Sequence, residues 1–134
     1  MIRPCMGKLY RKGAVGALLD ENCRSIQTIL THVVSSGYGY AVYIQNSRGV
    51  NSIRPEKRSN PTVQDYIKDL EEMFRFTINV FENIGDDELE QGDDSHKIQT
   101  GWGQRYDIEQ LMEHAIVHVL RHRRQIEKFN LAIR

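Results

Sequence analysis

Residues 113–126 read EHAIVHVLRHRRQI, and three of the chain's five histidines fall inside them. His114, His118 and His122 recur every four residues, the spacing that stacks side chains along one edge of an α-helix. Apolar residues share the period. At about 100° per residue, Leu111, Ala115, His118, His122, Ile126 and Phe129 form one stripe, with His118 and His122 near its centre and His114 about 60° to one side. Asp107 and Gln110 make a capping box, so the spacing predicts a helix from Ile108 to Ala132. A stripe that buries two imidazoles among apolar residues asks what they face.

The answer must come from another helix. Residues 22–46, NCRSIQTILTHVVSSGYGYAVYIQN, carry Ile26, Ile29, Leu30, Val33, Gly37, Tyr40, Ala41 and Ile44 at spacings of three and four. Asn22 is the expected N-cap. Gly37 and Gly39 weaken this helix but let a neighbour approach its backbone. His32 lies mid-way along it. A third helix-forming stretch follows the polar loop SRGVNSIRPEKRSN, with Asn60 as cap and Pro61 at the first helical position. Its expected core stripe is Val63, Ile67, Leu70, Phe74, Ile78 and Phe81, and Gly85 ends it. Residues 85–106 form a long connection in which two glycines argue against a stable strand. The segment MGKLYRKGAVGALLDE predicts only a short first helix, which leaves one weak wall in the expected bundle.

Two imidazoles at i and i+4 can turn toward one metal ion, and His32 is the natural third ligand. Three neutral imidazoles leave open positions on Zn²⁺, the catalytic rather than the structural arrangement. Imidazoles suit Ni and Fe as well. The competing reading is that all three are core histidines held by ordinary hydrogen bonds. The zinc-protease pattern His-Glu-x-x-His is absent: HAIVH and HVLRH place Ala and Val where that mechanism needs its glutamate.

Composition narrows the class. With 134 residues the chain is read as one domain, 1–134, large enough to bury a core. Lys plus Arg and Asp plus Glu are 18 each, so nothing draws the whole chain to nucleic acid or to anionic lipid. The charge is segregated: DDELEQGDD (86–94) is a solvated acidic loop, and RHRRQIEK (121–128) a basic outer helix face. The two cysteines, Cys5 and Cys23, lie in no metal or redox motif and read as free thiols of a reducing compartment. No run reaches the roughly 18 apolar residues of a membrane span, and the N-terminus lacks the apolar stretch of a signal peptide. The expected location is cytoplasmic. Tyr38, Tyr40, Tyr43 and Trp102 read as packing aromatics. Glu113, Asp107 and Gln125 are candidates to hydrogen-bond a ligand histidine.

HRRQI at the end of an amphipathic helix, with a histidine four residues before it, and SIQTILTHVVSSGYGYAVYI earlier in the chain together resemble the DinB/YfiT-like family of metal-binding helical proteins. The resemblance covers about residues 22–134. It implies an all-α fold, a four-helix bundle of up-down-down-up connectivity, here with its first helix short or truncated. It also implies one divalent metal held by His32, His118 and His122, with Arg123 and Gln125 completing the closing motif and His114 as an extra residue. Part of the family's first helix and its connection has no counterpart, which leaves an apolar flank that a homodimer would cover. The function implied is a metal-dependent enzyme, of thiol-dependent transferase or hydrolase type, acting on a small molecule or a low-molecular-weight thiol. The reading points to no catalytic base. The alternative is a non-catalytic metal-binding or stress-associated interaction module. RHRR on a neutral chain does not amount to a nucleic-acid site.

Overall fold

The computed structural model describes residues 21–133, and the expected short first helix before them lies outside the described residues. The described chain is mainly helical, as expected. Three long helices, α1 (Ile26–Ser47), α2 (Val63–Phe81) and α3 (Ile108–Ile133), are joined by a polar loop and by a long connection. That connection holds two antiparallel strands, β1 (Ile98–Gln99) and β2 (Arg105–Tyr106). The two glycines that argue against a stable strand sit in the turn between β1 and β2, where Gly103 takes φ +90, a conformation that L side chains avoid. The result is a minimal hairpin.

Helix starts are set by side-chain caps that differ in two cases from the expected ones. Ser25, rather than Asn22, caps α1, accepting from the backbone N–H of Thr28 in a capping box. Thr62, rather than Asn60, caps α2. Asn60 instead turns inward. Its carbonyl accepts from the Gln27 amide, its backbone N–H donates to the Tyr66 hydroxyl and its side chain donates to Asp69. Asp107 and Gln110 form the expected box at the start of α3.

The inter-helix contacts fix the directions. From one end to the other, Thr31 meets Tyr66, Gly37 meets Met73, Tyr38 meets Phe76, and Arg48 meets Asn83. The partner numbers rise together, so α1 and α2 run parallel, and the 48–62 loop must return the chain along the whole bundle. Against α3 the numbers run oppositely: Tyr40 meets His114 and His32 meets both His118 and His122, so α3 is antiparallel to α1. Helix α1 is the centre, in contact with both others. Gly37 allows the close approach to α2: a Cβ there would come within 2.4 Å of the Met73 sulfur.

The core has two apolar clusters. Tyr40, Ile44, Ile98, Ile108 and Leu111 pack at one end, with Trp102, Tyr106 and Phe81 against them. Cys23, Ile29 and Val33 pack at the other, backed by Leu70, Ile126 and Phe129. On both α1 and α3 the histidines fall between these clusters. Cys23 is disulfide-bonded, which corrects the free-thiol reading and removes the thiol argument for a reducing compartment; its partner lies outside the described residues. No helix among the described residues is long and apolar enough to cross a membrane.

The expected stripe of α2 is largely not core. Val63, Ile67, Phe74 and Ile78 are each at least half exposed, whereas Leu70 and Phe81 pack inward. Tyr66 is the buried residue of this helix. The reason is the parallel packing on α1, which takes the Tyr66, Leu70 and Met73 edge and leaves the rest of the stripe aside. Between α2 and α3 runs an apolar groove of 530 Å³ whose walls include Leu70, Phe74, Ile116 and Val119 and whose floor includes Val33 and Gly37.

Candidate metal centre

His32, His118 and His122 are the buried histidines that the two helices bring together. One ring nitrogen from each lies within 4.8 Å of the other two. The fractional exposures are 6%, 5% and 1%, so the cluster is shielded from bulk water. His118 and His122 come from consecutive turns of α3, and His32 reaches across from α1, whose Ile29 and Val33 pack beside it into the apolar cluster. The His118 Nε2 is 3.0 Å from the Nε2 of His32 and 3.0 Å from the Nε2 of His122. The three rings meet edge to face, with centroids 4.4 to 5.0 Å apart.

Three converging Nε2 atoms raise a proton problem. The His122 Nδ1 lies 2.8 Å from the Gln125 Oε1, and with that oxygen accepting, Nδ1 carries the proton and Nε2 presents a lone pair. If His118 carries a proton on Nε2, it donates to His122 and has no lone pair left there to accept from His32. If it does not, its lone pair faces that of His122 at 3.0 Å. Neither tautomer makes both short contacts into good hydrogen bonds. One cation accepting all three lone pairs removes the conflict. A tetrahedral Zn²⁺ with bonds of 2.0–2.1 Å would set the nitrogens about 3.3 Å apart, a few tenths of an ångström from the two 3.0 Å contacts of His118, with the third pair within 4.8 Å. The donor set therefore fits a divalent ion of the Zn, Ni or Fe type.

Protonation states agree with this chemistry. Burial lowers the His118 pKa from 6.5 to about 3, with smaller contributions from His122, His32, His114 and Arg121. His118 is thus neutral at physiological pH, the form a metal requires. Outer contacts orient the rings, Gln125 for His122 and the Ser36 hydroxyl at 3.5 Å for the His32 Nδ1. Gln125 was among the sequence candidates. Ser36 was visible only as a neighbour on the same helical edge, four residues after His32. The other two candidates do different work: Asp107 caps α3, and Glu113 lines a cleft beside the cluster.

His114 is a wall residue. Its ring stacks on Trp102 at 5.0 Å, and its Nδ1 lies 3.3 Å from the Tyr106 hydroxyl. It belongs to no three-ligand cluster among the described residues. Burial, then the charge of Arg121, lowers its pKa. Tyr40 packs edge-on against both His114 and His118, and burial followed by the neighbouring Tyr106 and Tyr43 raises its pKa. The Tyr40 hydroxyl, the Trp102 indole N–H and the Gln125 Nε2 are buried without hydrogen-bond partners among the described residues. Such orphans are uncommon in a finished core and common where a ligand completes the site.

The cluster opens on one side. Tyr106, Gln110, Glu113, His114, His118 and Arg121 line a cleft of 450 Å³ along one edge of α3. Of the three clustered histidines, only His118 reaches it. Sequence reading did not single out Tyr106, Gln110 or Arg121 as a group, although 110, 114, 117 and 121 share a helical edge. Arg123, in the closing motif, points away from the cluster and pairs with Glu127. No protein-family model, no curated protein and no solved structure matches this chain.

Proposed function

We propose that the protein is a divalent-metal-dependent enzyme in which His32, His118 and His122 hold one ion and the cleft beside His118 admits a small substrate. The observation that carries the reading is the convergence of one ring nitrogen from each of three buried histidines within 4.8 Å, with two Nε2 contacts to His118 at 3.0 Å. The parallel α1 and α2 with an antiparallel α3 match the last three helices of an up-down-down-up bundle. That order supports the resemblance to DinB/YfiT-like proteins, and with it a thiol-dependent transferase or hydrolase chemistry.

A divalent ion at this site supplies Lewis acidity, which brings the pKa of a thiol or a water toward neutrality. The chain's own part is orientation and exclusion. Gln125 fixes the tautomer of His122, and Ser36 sits at the outer nitrogen of His32. The apolar clusters on either side keep the rings dry and neutral. Tyr40, Trp102 and His114 form an aromatic wall that leaves the cleft as the way in.

A second reading has its own observation. The apolar groove between α2 and α3 suits a metal-binding module without turnover that pairs with another copy of the chain. Elemental mass spectrometry after exhaustive dialysis decides whether there is a metal site at all. Wild type is expected to hold about one equivalent of Zn, Ni or Fe, and His32→Ala and His118→Ala none. Wild type without metal after reconstitution would overturn both readings and leave the histidines as core residues.

A further inference from the structure

The cleft beside His118 is polarised, and the pattern of charge names a ligand class. Arg121 lies three residues after His118 on α3, so their Cβ atoms are about 5–6 Å apart. The guanidinium is half-buried on the cleft wall, and no carboxylate pairs with it among the described residues. Arg123, on the opposite side of the helix, differs: it is exposed and engaged with Glu127. The one acid in the cleft, Glu113, sits eight residues earlier on the same helix, about 12 Å along its axis, too far to neutralise Arg121. A partly buried arginine that lines a cleft, with no counter-ion among the described residues, can take a carboxylate. The Gln110 amide and the Tyr106 hydroxyl add neutral polar groups to the same wall.

We infer that Arg121 is an anion anchor, and that the cleft takes a small carboxylate-bearing molecule whose other end reaches the histidine cluster. Arg121 and His118 stand one helical turn apart on the same cleft, so a short ligand can present a carboxylate to the one and a thiol or hydroxyl to the other. The identity of that second group rests on the metal-site reading; the anchor itself does not. A thiol carboxylate therefore belongs in the cleft, and an uncharged thiol of equal length lacks its principal contact. Arg121 is a specificity residue here and takes no part in holding the metal.

The test uses two probes of similar length, 3-mercaptopropionate and 2-mercaptoethanol, titrated against metal-free and zinc-loaded full-length protein. Ring NMR signals of His114, which lines the cleft, and of Trp102, on which it stacks, report binding. Wild type is expected to prefer the carboxylate by roughly tenfold in both forms. Arg121→Met should abolish that preference, and Arg121→Lys should keep part of it, because a lysine retains the charge without the fork. No preference in wild type overturns the inference. So does a preference that survives in Arg121→Met, since a group other than Arg121 would then be binding the carboxylate. A chain that takes up no zinc yet keeps its carboxylate preference in the metal-free titration would sustain the anchor and bring down the metal reading alone.

Discussion

Helices α2 and α3 are both amphipathic and both lie against α1, and both leave apolar residues exposed (Ile116, Val117, Val119 and Leu120 on α3), yet only α3 buries the centre of its stripe. Helix α3 turns Leu111, His118, His122 and Gln125 inward and buries all four. Helix α2 buries Tyr66 and leaves Val63, Ile67, Phe74 and Ile78 at least half exposed. The difference lies in what each touches. Antiparallel α3 is pinned at one end by the β1–β2 hairpin and at the other by Phe129 against the Cys23 cluster. Parallel α2 is held along one narrow edge, by Asn60, Tyr66 and the approach of Met73 to Gly37. An apolar stripe thus states a demand for burial, and only the neighbours decide whether the demand is met.

That contrast can be broken by measurement. Leu111 is fully buried, so Leu111→Ala should cost about 2–5 kcal/mol in urea unfolding, while a cost under roughly 1 kcal/mol would mean the α1–α3 seam is loosely packed. Acid should act next, and through the same seam. The folded-state pKa of His118 lies below its unfolded value, so the unfolded chain binds more protons between about 3 and 6.5. The stability contributed by the neutral, buried form is complete above pH 6.5 and is lost as pH falls through that window. Urea midpoints of metal-free protein at pH 7 and pH 4 check this; His118→Gln, which cannot be protonated, should show a shallower fall. The smallest effect belongs to α2. Phe74 is 64% exposed, so Phe74→Ser should change stability by no more than about 0.5 kcal/mol in dilute solution. A loss of about 2 kcal/mol or more, growing with protein concentration, would show that a second copy covers the groove.

The same contrast explains what could be read early. Helix α3 was legible to within a residue or two, because the capping box at Asp107 and the 3.6-residue stripe agree with each other. His118 and His122 were legible as a pair, because i, i+4 spacing is a property of one helix and needs no partner; His32 joined them only through its place mid-way along α1 and the family resemblance. The caps at Asn22 and Asn60 were misplaced by two or three residues. Several polar residues stand at each boundary, and local sequence does not rank them once Asn60 finds the Tyr66 hydroxyl and Asp69. The hairpin was missed because two-residue strands leave no periodicity to read.

Sequence alone sufficed for the number of long helices, for the stripe on α3 and for three histidines on two helices, because each of these follows from backbone geometry repeated every 3.6 residues. Tertiary structure was needed for the rest. The parallel course of α1 and α2, the exposure of the α2 stripe and the meeting of three Nε2 atoms are long-range facts. So is the lack, among the described residues, of a carboxylate paired with Arg121. Each depends on which surfaces exclude water from one another, and that is a property of the packed chain rather than of any segment of it.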